Sequence, residues 1–297
     1  QIQIAGFKRG FSLMETMISL IIISIILAIT MPVMTERMTK DDEVEDIDSG
    51  CLWKKDSSGT GIYYGTTELE RVGIGTDTPE FKLTVGNDGY ILAKGTYGSG
   101  KNLTTSGAGT RFIWYPRKAA LRAGGVTGSQ WDNTNIGNFS IAMGHNTKAS
   151  GTNSVALGGS ANTASSSNAT ITGGYNNQAT VGYSTVGGGA NNTASGLYSA
   201  IGGGNENKTL ASYSTIIGGS NNTTSGSSSF VGGGAYNTAS GVISTVAGGY
   251  NNTASGDYSI IEGGDNNTVS GGYSWVGGKN MNLSGKGSFL FGYSDTA

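Results

Sequence analysis

The chain has 297 residues, of which 52 are glycine, three are proline and 13% are charged. Its formal net charge of −2 provides no electrostatic basis for binding nucleic acid. Cys51 is the only cysteine, so no disulfide can form within the chain. His145 is the only histidine, which excludes most histidine-ligated metal sites and disfavours a Ser-His-Asp triad. Composition therefore speaks against an ordinary α/β enzyme, and we predict no cofactor, no metal site and no enzymatic activity.

An apolar segment near the N-terminus follows Lys8, Arg9 and Gly10. Residues 17–34 carry no charge, and this run is close to the ~20 residues that span a bilayer. The basic residues before it predict that the short N-terminal side stays in the cytoplasm. Glu15 stands at the edge of the apolar run, where a carboxylate costs on the order of 2–3 kcal/mol unless it is paired or near the interface. A residue retained at such a cost indicates a function.

The motif at residues 11–15, Phe-Ser-Leu-Met-Glu after a basic leader and Gly10, resembles that of type IV pilins and pseudopilins. The resemblance implies that a prepilin peptidase cuts between Gly10 and Phe11 and that the new Phe11 amine is methylated. It also implies that Glu15 pairs with the N-terminus of a neighbouring subunit during assembly. The expected partners are therefore the membrane, the prepilin peptidase and a pilus or secretion assembly machinery.

Pro32 falls where many pilins carry a helix-loosening proline, and an interior proline removes a backbone hydrogen bond and kinks a helix. The alternatives for this segment are a plain membrane anchor and a secretory signal peptide. Residues 31–33 lack the small residues that signal peptidase requires. We predict a leader at residues 1–10 and a hydrophobic transmembrane and assembly helix with an acidic extension at residues 11–48.

Residues 49–130 are predicted to form a short-strand connector and a cap for the domain that follows. The β-rich runs 62–64, 81–85 and 90–92 lie between Gly, Asp and Asn clusters that favour turns. Residues 72–85 resemble a connector of phage tail fibres and bacterial surface fibres, which is a structural joint.

Two further segments of this region offer alternatives. Residues 95–102 have P-loop spacing through Lys101, but Asn102 replaces the Ser or Thr that holds Mg²⁺, so we do not predict nucleotide binding. The aromatic and basic residues 111–118 could stack on a glycan. We favour a plug over the open end of the repeats, because a repeat array needs an atypical terminal unit to cover its core.

Residues 131–297 contain one motif repeated eleven times, which indicates a stacked solenoid. A small marker residue recurs every 15 residues, with steps of 14 at both ends, and an apolar residue stands two places after it. The markers are Ser140, Ser154, Ala169, Ser184, Ser199, Ser214, Ser229, Ser244, Ser259, Ser274 and Ser288. Fifteen residues suit one coil of two short strands and two turns, with glycine and asparagine supplying positive-φ positions. The fold class is therefore predicted as mostly β: a long N-terminal hydrophobic helix, a small β connector and a parallel β-solenoid of about eleven coils.

Successive side chains of the first strand in each coil should point to opposite faces of its sheet. The marker and the apolar residue after it, such as Ser184 and Val186, should face a thin core, together with a second column ten places on that includes Ala164, Ala194 and Val269. The opposite face of the strand is predicted to carry an aromatic stripe that needs a partner, because a strand that is apolar on both faces should be covered on both. The candidate oligomer stripe consists of Tyr183, Tyr198, Tyr213, Tyr258, Tyr273 and Trp275.

The repeat array, and residues 151–159 most closely, resembles the head domain of YadA-like trimeric adhesins. In that family three β-rolls pack side by side, so the resemblance implies a homotrimer through the roll. Later coils depart towards Tyr-Ser-Thr-Val-Gly-Gly-Gly, which leaves the trimer and the handedness open.

We predict a pilin-like bacterial protein that passes through the inner membrane and displays a fibrous roll at the cell surface or in a filament. Its function would be attachment to a host, matrix or glycan receptor, or filament architecture. The alternatives are a structural filament subunit without a receptor, an ice-binding solenoid and a polysaccharide-processing solenoid. Thr170, Thr185, Thr215 and Thr245 suggest ice binding, but larger apolar residues interrupt their column.

Overall fold

The computed structural model describes residues 91–294 together with three short strands before them. These residues belong to two compact units, which divide between Leu92 and Ala93. In the first unit, β1 (Ile62–Tyr64) pairs antiparallel with β2 (Val72–Ile74), and β2 pairs parallel with β3 (Leu83–Val85). Ile91 and Leu92, which belong to a β-rich run predicted as a strand, are irregular and exposed, so the prediction is wrong for these two residues; Tyr90 lies outside the described residues.

The second unit begins with irregular chain and then a β-hairpin. Strand β4 (Gly109–Tyr115) and strand β5 (Ala120–Val126) pair antiparallel around a 3-10 helix at Pro116–Lys118. A second 3-10 helix covers Asn133–Asn135. No helix follows the glycine-rich residues 95–102, where a P-loop would continue into one.

A long sheet of thirteen strands runs through the whole second unit. The hairpin forms its first two strands, and β5 pairs in parallel with the first strand of the repeats. Eleven further strands follow in parallel, one for each marker. They are β6 (Ile141–His145), β8 (Val155–Ala156), β10 (Thr170–Ile171), β12 (Thr185–Val186), β14 (Ala200–Ile201), β16 (Thr215–Ile216), β18 (Phe230–Val231), β20 (Thr245–Val246), β22 (Ile260–Asp265), β24 (Trp275–Lys279) and β26 (Phe289–Tyr293).

A second sheet of ten parallel strands is built from the other half of each repeat. Its strands are β7 (Lys148–Ala149), β9 (Thr163–Ala164), β11 (Gln178–Ala179), β13 (Thr193–Ala194), β15 (Lys208–Thr209), β17 (Thr223–Thr224), β19 (Thr238–Ala239), β21 (Thr253–Ala254), β23 (Thr268–Val269) and β25 (Asn282–Leu283). The repeats therefore form a parallel β-solenoid. The described chain contains ten coils with both strands, and the eleventh marker precedes the single strand β26.

The core lies between the two sheets, and each sheet contributes a single layer of small side chains to it. Ser184 and Val186 are both fully buried, as predicted, and so are Ala164, Ala194 and Val269 of the second column. One hydrophobic cluster runs from Ala142 to Met281, with Leu283 and Leu290 packed against it. Each coil contributes little apolar area, so stability depends on stacking coil upon coil.

The N-terminal end of this core is closed by a buried arginine and a buried tryptophan. The guanidinium of Arg122 donates hydrogen bonds to the carbonyl oxygens of Leu121, Ser140 and Ala149 at 2.7–2.9 Å. Burial lowers the pKa of Arg122 to about 10, so the group stays charged at neutral pH. Trp131 is fully buried, and its indole N–H donates to the Thr147 carbonyl at 2.8 Å.

The segment predicted as a plug, residues 111–118, is partly buried and partly exposed. Tyr115 is buried with Ala120 and Ile136 in a small separate cluster, whereas Phe112 is exposed. Lys118 donates to the carbonyl oxygen of Ile136 at 2.7 Å. Its pKa is lowered by burial and by the nearby arginines Arg122 and Arg117. Lys118 therefore joins the hairpin to the segment that follows it.

The predicted transmembrane helix at residues 11–48 lies outside the described residues. Among the residues that are described, none belongs to a helix with the length and apolarity that crossing a membrane requires.

Candidate interaction surface of the β-roll

Each coil turns at two corners, and each corner contains a residue in the left-handed region. We call one the tyrosine corner, with Phe139, Asn153, Asn168, Tyr183, Tyr198, Tyr213, Ser228, Ile243, Tyr258 and Tyr273 at φ of 54–60°. We call the other the asparagine corner, with Asn146, Ala161, Asn176, Asn191, Glu206, Asn221, Tyr236, Asn251, Asn266 and Asn280 at φ of 51–58°. Asparagine tolerates this region far better than aromatic or β-branched residues do.

Behind the asparagine corner, the second asparagine of each pair is buried and links three coils. Asn222 shows the pattern: its backbone N–H donates to the side-chain oxygen of Asn207, and its own side-chain oxygen accepts from the N–H of Asn237, both at 3.0 Å. Its amide nitrogen donates to the carbonyls of Gly218 and Gly234 at 3.0 and 2.9 Å. The ladder consists of Asn162, Asn177, Asn192, Asn207, Asn222, Asn237, Asn252 and Asn267.

The glycine pair before each ladder asparagine has two different roles. Gly219 has a φ of 87°, and a Cβ there would overlap the carbonyl oxygen of Gly234 in the next coil. Gly218 has nothing within 4 Å of such a Cβ. Only the second glycine is therefore required by the close approach of neighbouring coils.

At the tyrosine corner the buried side chain is the marker serine, which bonds within its own coil. The Ser214 hydroxyl donates to the Ala211 carbonyl at 2.7 Å, and Ser259 donates to Gly256 at 2.6 Å. No continuous ladder of side chains joins the coils at this corner. The Asn153 amide donates to the side-chain oxygen of Asn168 at 3.3 Å, and the Ser274 hydroxyl donates to the Gly285 carbonyl of the next coil at 2.7 Å. The backbone N–H of Val242 donates to a carboxylate oxygen of Asp257 at 2.9 Å. Elsewhere the coils are joined here by backbone hydrogen bonds, with aromatic side chains on the outside.

The structure corrects the predicted position of the aromatic stripe. Tyr183 lies in the turn before β12, which contains only Thr185 and Val186, so the tyrosine is on the corner and not on the outer face of a strand. The same holds for Tyr198, Tyr213, Tyr258 and Tyr273. Two left-handed corners use most of a 15-residue coil, which leaves strands of two residues. Trp275 does lie on a strand, β24.

The five corner tyrosines are 44–60% exposed and stack on one another along the axis. Tyr183, Tyr198 and Tyr213 form one stack, with ring centroids 4.6 and 5.3 Å apart and interplanar angles of 17° and 10°. Tyr258 and Tyr273 form another at 4.8 Å and 8°. Lys286 covers the second face of the Tyr273 ring at 5.4 Å from its centroid.

Within one chain, the free-energy cost of the left-handed conformation at this corner is close to the stabilisation that the aromatic pairs provide. A left-handed conformation costs roughly 1–2 kcal/mol for a residue with an ordinary side chain. An aromatic pair returns about 0.5–1.5 kcal/mol beyond the area it buries. Ile243 carries the strain with no ring partner at all and is 45% exposed. Within the described residues, the ring pairs do not by themselves account for the scarcity of asparagine at this corner, where only Asn153 and Asn168 occur.

Beside the tyrosine corner, one residue from each strand of the long sheet forms an outer column. Each of these residues pairs with its counterpart on the neighbouring strand, so the column is continuous across all thirteen strands. The column consists of Trp114, Leu121, Ile141, Val155, Thr170, Thr185, Ala200, Thr215, Phe230, Thr245, Ile260, Trp275 and Phe289. Its apolar members interrupt the threonines that suggested ice binding.

The outer column of the second sheet is polar. Six of its ten residues are threonine, and Thr223, Thr238, Thr253 and Thr268 are adjacent in register. The complete column is Lys148, Thr163, Gln178, Thr193, Lys208, Thr223, Thr238, Thr253, Thr268 and Asn282. The two outer columns therefore differ: that of the long sheet mixes threonines with larger apolar residues, and that of the second sheet is polar and rich in hydroxyls.

Charge is nearly absent from the roll. Between Ala149 and Gly256 the only charged residues are Glu206 and Lys208. Near the C-terminal end Asp265 pairs with Lys279 at 3.5 Å. Within residues 91–294 no three His, Cys, Asp or Glu side chains come together in a group that could hold a metal ion.

The predicted processing and assembly residues Gly10, Phe11, Glu15 and Pro32 lie outside the described residues. Comparison with known families nevertheless places a motif there: the prokaryotic N-terminal methylation motif matches residues 7–31. The YadA head domain repeat matches twice, at residues 136–161 and 243–260. The chain combines a prepilin-type methylation motif with YadA head repeats. No curated protein matches it significantly.

Sequence reasoning missed the asparagine ladder. It treated both asparagines of each pair as turn residues, although only the first, such as Asn221, has the left-handed φ. The signal was present, because the second asparagine recurs at eight consecutive coils while the first is replaced by Ala, Glu or Tyr. A polar residue kept more strictly than its turn neighbour indicates a buried partner.

Proposed function

We propose that this chain is a bacterial cell-surface protein that is processed as a prepilin and displays its β-roll for attachment. The observation that carries the proposal is the joining of the methylation motif at residues 7–31 to a roll with YadA head repeats. Cleavage between Gly10 and Phe11 would release an apolar helix with Glu15 available to pair with a neighbouring subunit. The chain would then pass from the inner membrane to the surface or to a filament.

The roll suits display more than chemistry. Ten coils at about 4.8 Å each make a stiff rod of roughly 50 Å. The helix predicted over residues 11–46 would itself be about 54 Å long at 1.5 Å per residue. We propose no enzymatic activity. A host, matrix or glycan receptor is the expected ligand of the displayed roll.

We further propose that the roll works as a homo-oligomer, with a trimer as the expected state. The YadA head repeats support this, and so do the exposed large apolar members of the outer column, since exposed apolar surface favours association. These are Trp114, Ile260, Trp275 and Phe289. The sparse charge of the roll means that association should depend little on salt.

The proposal is tested by following the native protein to the cell surface. Mass spectrometry of surface material should find a mature N-terminus at methylated Phe11, and Gly10→Val should leave the leader in place and abolish display. Cells displaying the wild-type chain should bind glycan or matrix surfaces, and cells carrying Gly10→Val should not.

Two results would count against parts of this proposal. An intact leader, with Gln1 retained in surface material, would refute prepilin processing. Correct processing and display without binding to any of the surfaces would favour a purely structural filament subunit.

A further inference from the structure

The asparagine corner carries one aromatic residue at a position where the fold favours an amide. Asparagine occupies seven of the ten left-handed positions of this corner, whereas Tyr236 stands there with a φ of 58° between Asn221 and Asn251. Adjacent asparagines of the column can bond through their amides, as Asn176 does to Asn191 at 2.9 Å. Tyrosine has neither this amide bridge nor the tolerance of asparagine for the left-handed region. Strain retained where an easier residue is available points to a function.

The ring of Tyr236 meets the ring of Tyr250, which stands one place before the left-handed residue of the next coil. Their centroids are 5.6 Å apart and the rings are inclined at 69°, so the edge of one ring meets the other. Both side chains are 53% exposed, and neither has a second ring contact among the described residues. Tyr198 differs, because Tyr183 and Tyr213 stack on both of its faces. In the pair at the asparagine corner, ring faces therefore remain exposed to solvent.

The space beside this pair is open on one side. Ser220 and Ala235 precede Tyr250 in a column of parallel bridges, so the side chains of that column next to the pair are small. A Cβ placed on Gly233 or Gly248, in the turns that lead to the two rings, would meet nothing within 4 Å. A ring-shaped ligand can therefore approach without displacing a large side chain.

Uncharged hydrogen-bonding groups flank the rings. Asn221 and Asn251 lie on either side of Tyr236 in its column, and neither side-chain oxygen accepts a hydrogen bond from the described residues. Asp265 follows Tyr250 in the other column, but its charge is paired with Lys279 at 3.5 Å. These neighbours offer amide groups and no unpaired charge, which suits a neutral ligand that carries hydroxyl groups.

The size of the aromatic surface favours a sugar over a protein as this ligand. Two half-exposed tyrosines offer roughly 200 Å² of surface. A specific protein interface takes about 800 Å² from each partner. A sugar ring needs much less, because it packs its C–H face on one aromatic face and turns its hydroxyl groups towards neighbouring amides.

We infer that Tyr236 and Tyr250 form a binding site for a neutral glycan, with Asn221 and Asn251 as hydrogen-bonding partners of its hydroxyl groups. The inference rests on the proposed attachment function and adds to it the class of receptor and the residues that bind it. A shallow site of this kind binds a single glycan weakly, so display of many copies raises the avidity.

The test measures glycan binding by the full chain, purified in a detergent without a sugar headgroup, since such a headgroup would compete for the site. An array of neutral hexose and N-acetylhexosamine oligosaccharides, with sialylated and sulfated members for comparison, identifies the ligand. The wild type should bind neutral members, and added salt should not weaken the binding, because no unpaired charge is involved.

Ligand-observed NMR with a soluble glycan that the array identifies then compares the variants. Saturation transfer to the glycan should fall by about tenfold in Tyr236→Asn and in Tyr250→Ala, because each loses one of the two rings. Circular dichroism checks that each variant is folded. Tyr250 does not have a left-handed φ, so Tyr250→Ala decides the question if Tyr236→Asn fails to fold.

Tyr198→Asn is the matched control. Tyr198 has a φ of 56° and is 46% exposed, which is close to the values of Tyr236, but its ring faces are covered. Its replacement should leave the saturation transfer unchanged.

The inference would be overturned if the wild type bound no member of the array or preferred the anionic members. Unchanged binding in a folded Tyr236→Asn, or an equal loss in Tyr198→Asn, would overturn it as well. Failure of the proposed function is read separately, since mass spectrometry of the N-terminus and surface labelling report processing and display without any glycan.

Discussion

The two corners of each coil each contain one residue with a φ of 51–60°, and they differ in how they are held together. At the asparagine corner a buried side chain joins each coil to the next, and the exposed residue is one that tolerates the left-handed region. At the tyrosine corner most of the buried serines that have a bond form it within their own coil, Ser274 being an exception, and aromatic residues in the left-handed region stack on the outside. The asparagine corner is therefore optimised for the fold, whereas the tyrosine corner retains residues that the fold alone would not select.

The largest expected effect lies in the glycine pair of the asparagine corner. Gly219→Ala should destabilise the roll by more than about 3 kcal/mol, because it combines left-handed strain with overlap of the next coil's backbone. Gly218→Ala should change the free energy of unfolding by less than about 0.5 kcal/mol. Denaturant unfolding of the two variants measures the difference, and equal effects would show that coils are not held at this close approach.

The asparagine pair gives the next largest contrast. Asn222→Ala should cost about 3 kcal/mol, because it leaves the buried N–H of Asn237 without a partner and removes the amide donor to the carbonyls of Gly218 and Gly234. Asn221→Ala should cost about 1 kcal/mol, the strain of alanine in a left-handed turn. Ser214→Ala, at the equivalent buried place of the tyrosine corner, should also cost about 1 kcal/mol. A cost for Ser214→Ala that matches Asn222→Ala would remove the distinction between the corners.

The smallest effect has the opposite sign. Ile243→Asn should stabilise the single chain by about 1 kcal/mol, because it relieves a β-branched residue in the left-handed region and breaks no ring pair. Thermal unfolding at low protein concentration measures this gain. Ser228→Asn, at the next corner position along the axis, is the control and should gain less. A destabilised Ile243→Asn would mean that Ile243 is held by contacts in its own chain.

Much of the roll could be predicted from the sequence because its period is strict. The spacing of Ser184 and Val186 fixed which residues enter the core, and the alanine column ten places on fixed the second sheet. The Tyr90–Leu92 run was less predictable, since a short β-rich run forms a strand only where another strand is there to pair with it. The tyrosines were expected on a strand face because alternation assumes extended backbone, and a left-handed residue breaks that alternation.

The sequence by itself determined the period, the inward columns and the prepilin-type motif, because each depends on residue type at fixed spacing. Only the tertiary structure decided that Asn222 is buried and bonded across coils while Asn221 is exposed, since the two are identical in chemistry and adjacent in the chain. It also decided that the tyrosines stand on a corner at positive φ. Their strain is visible only once the backbone conformation of the corner is known.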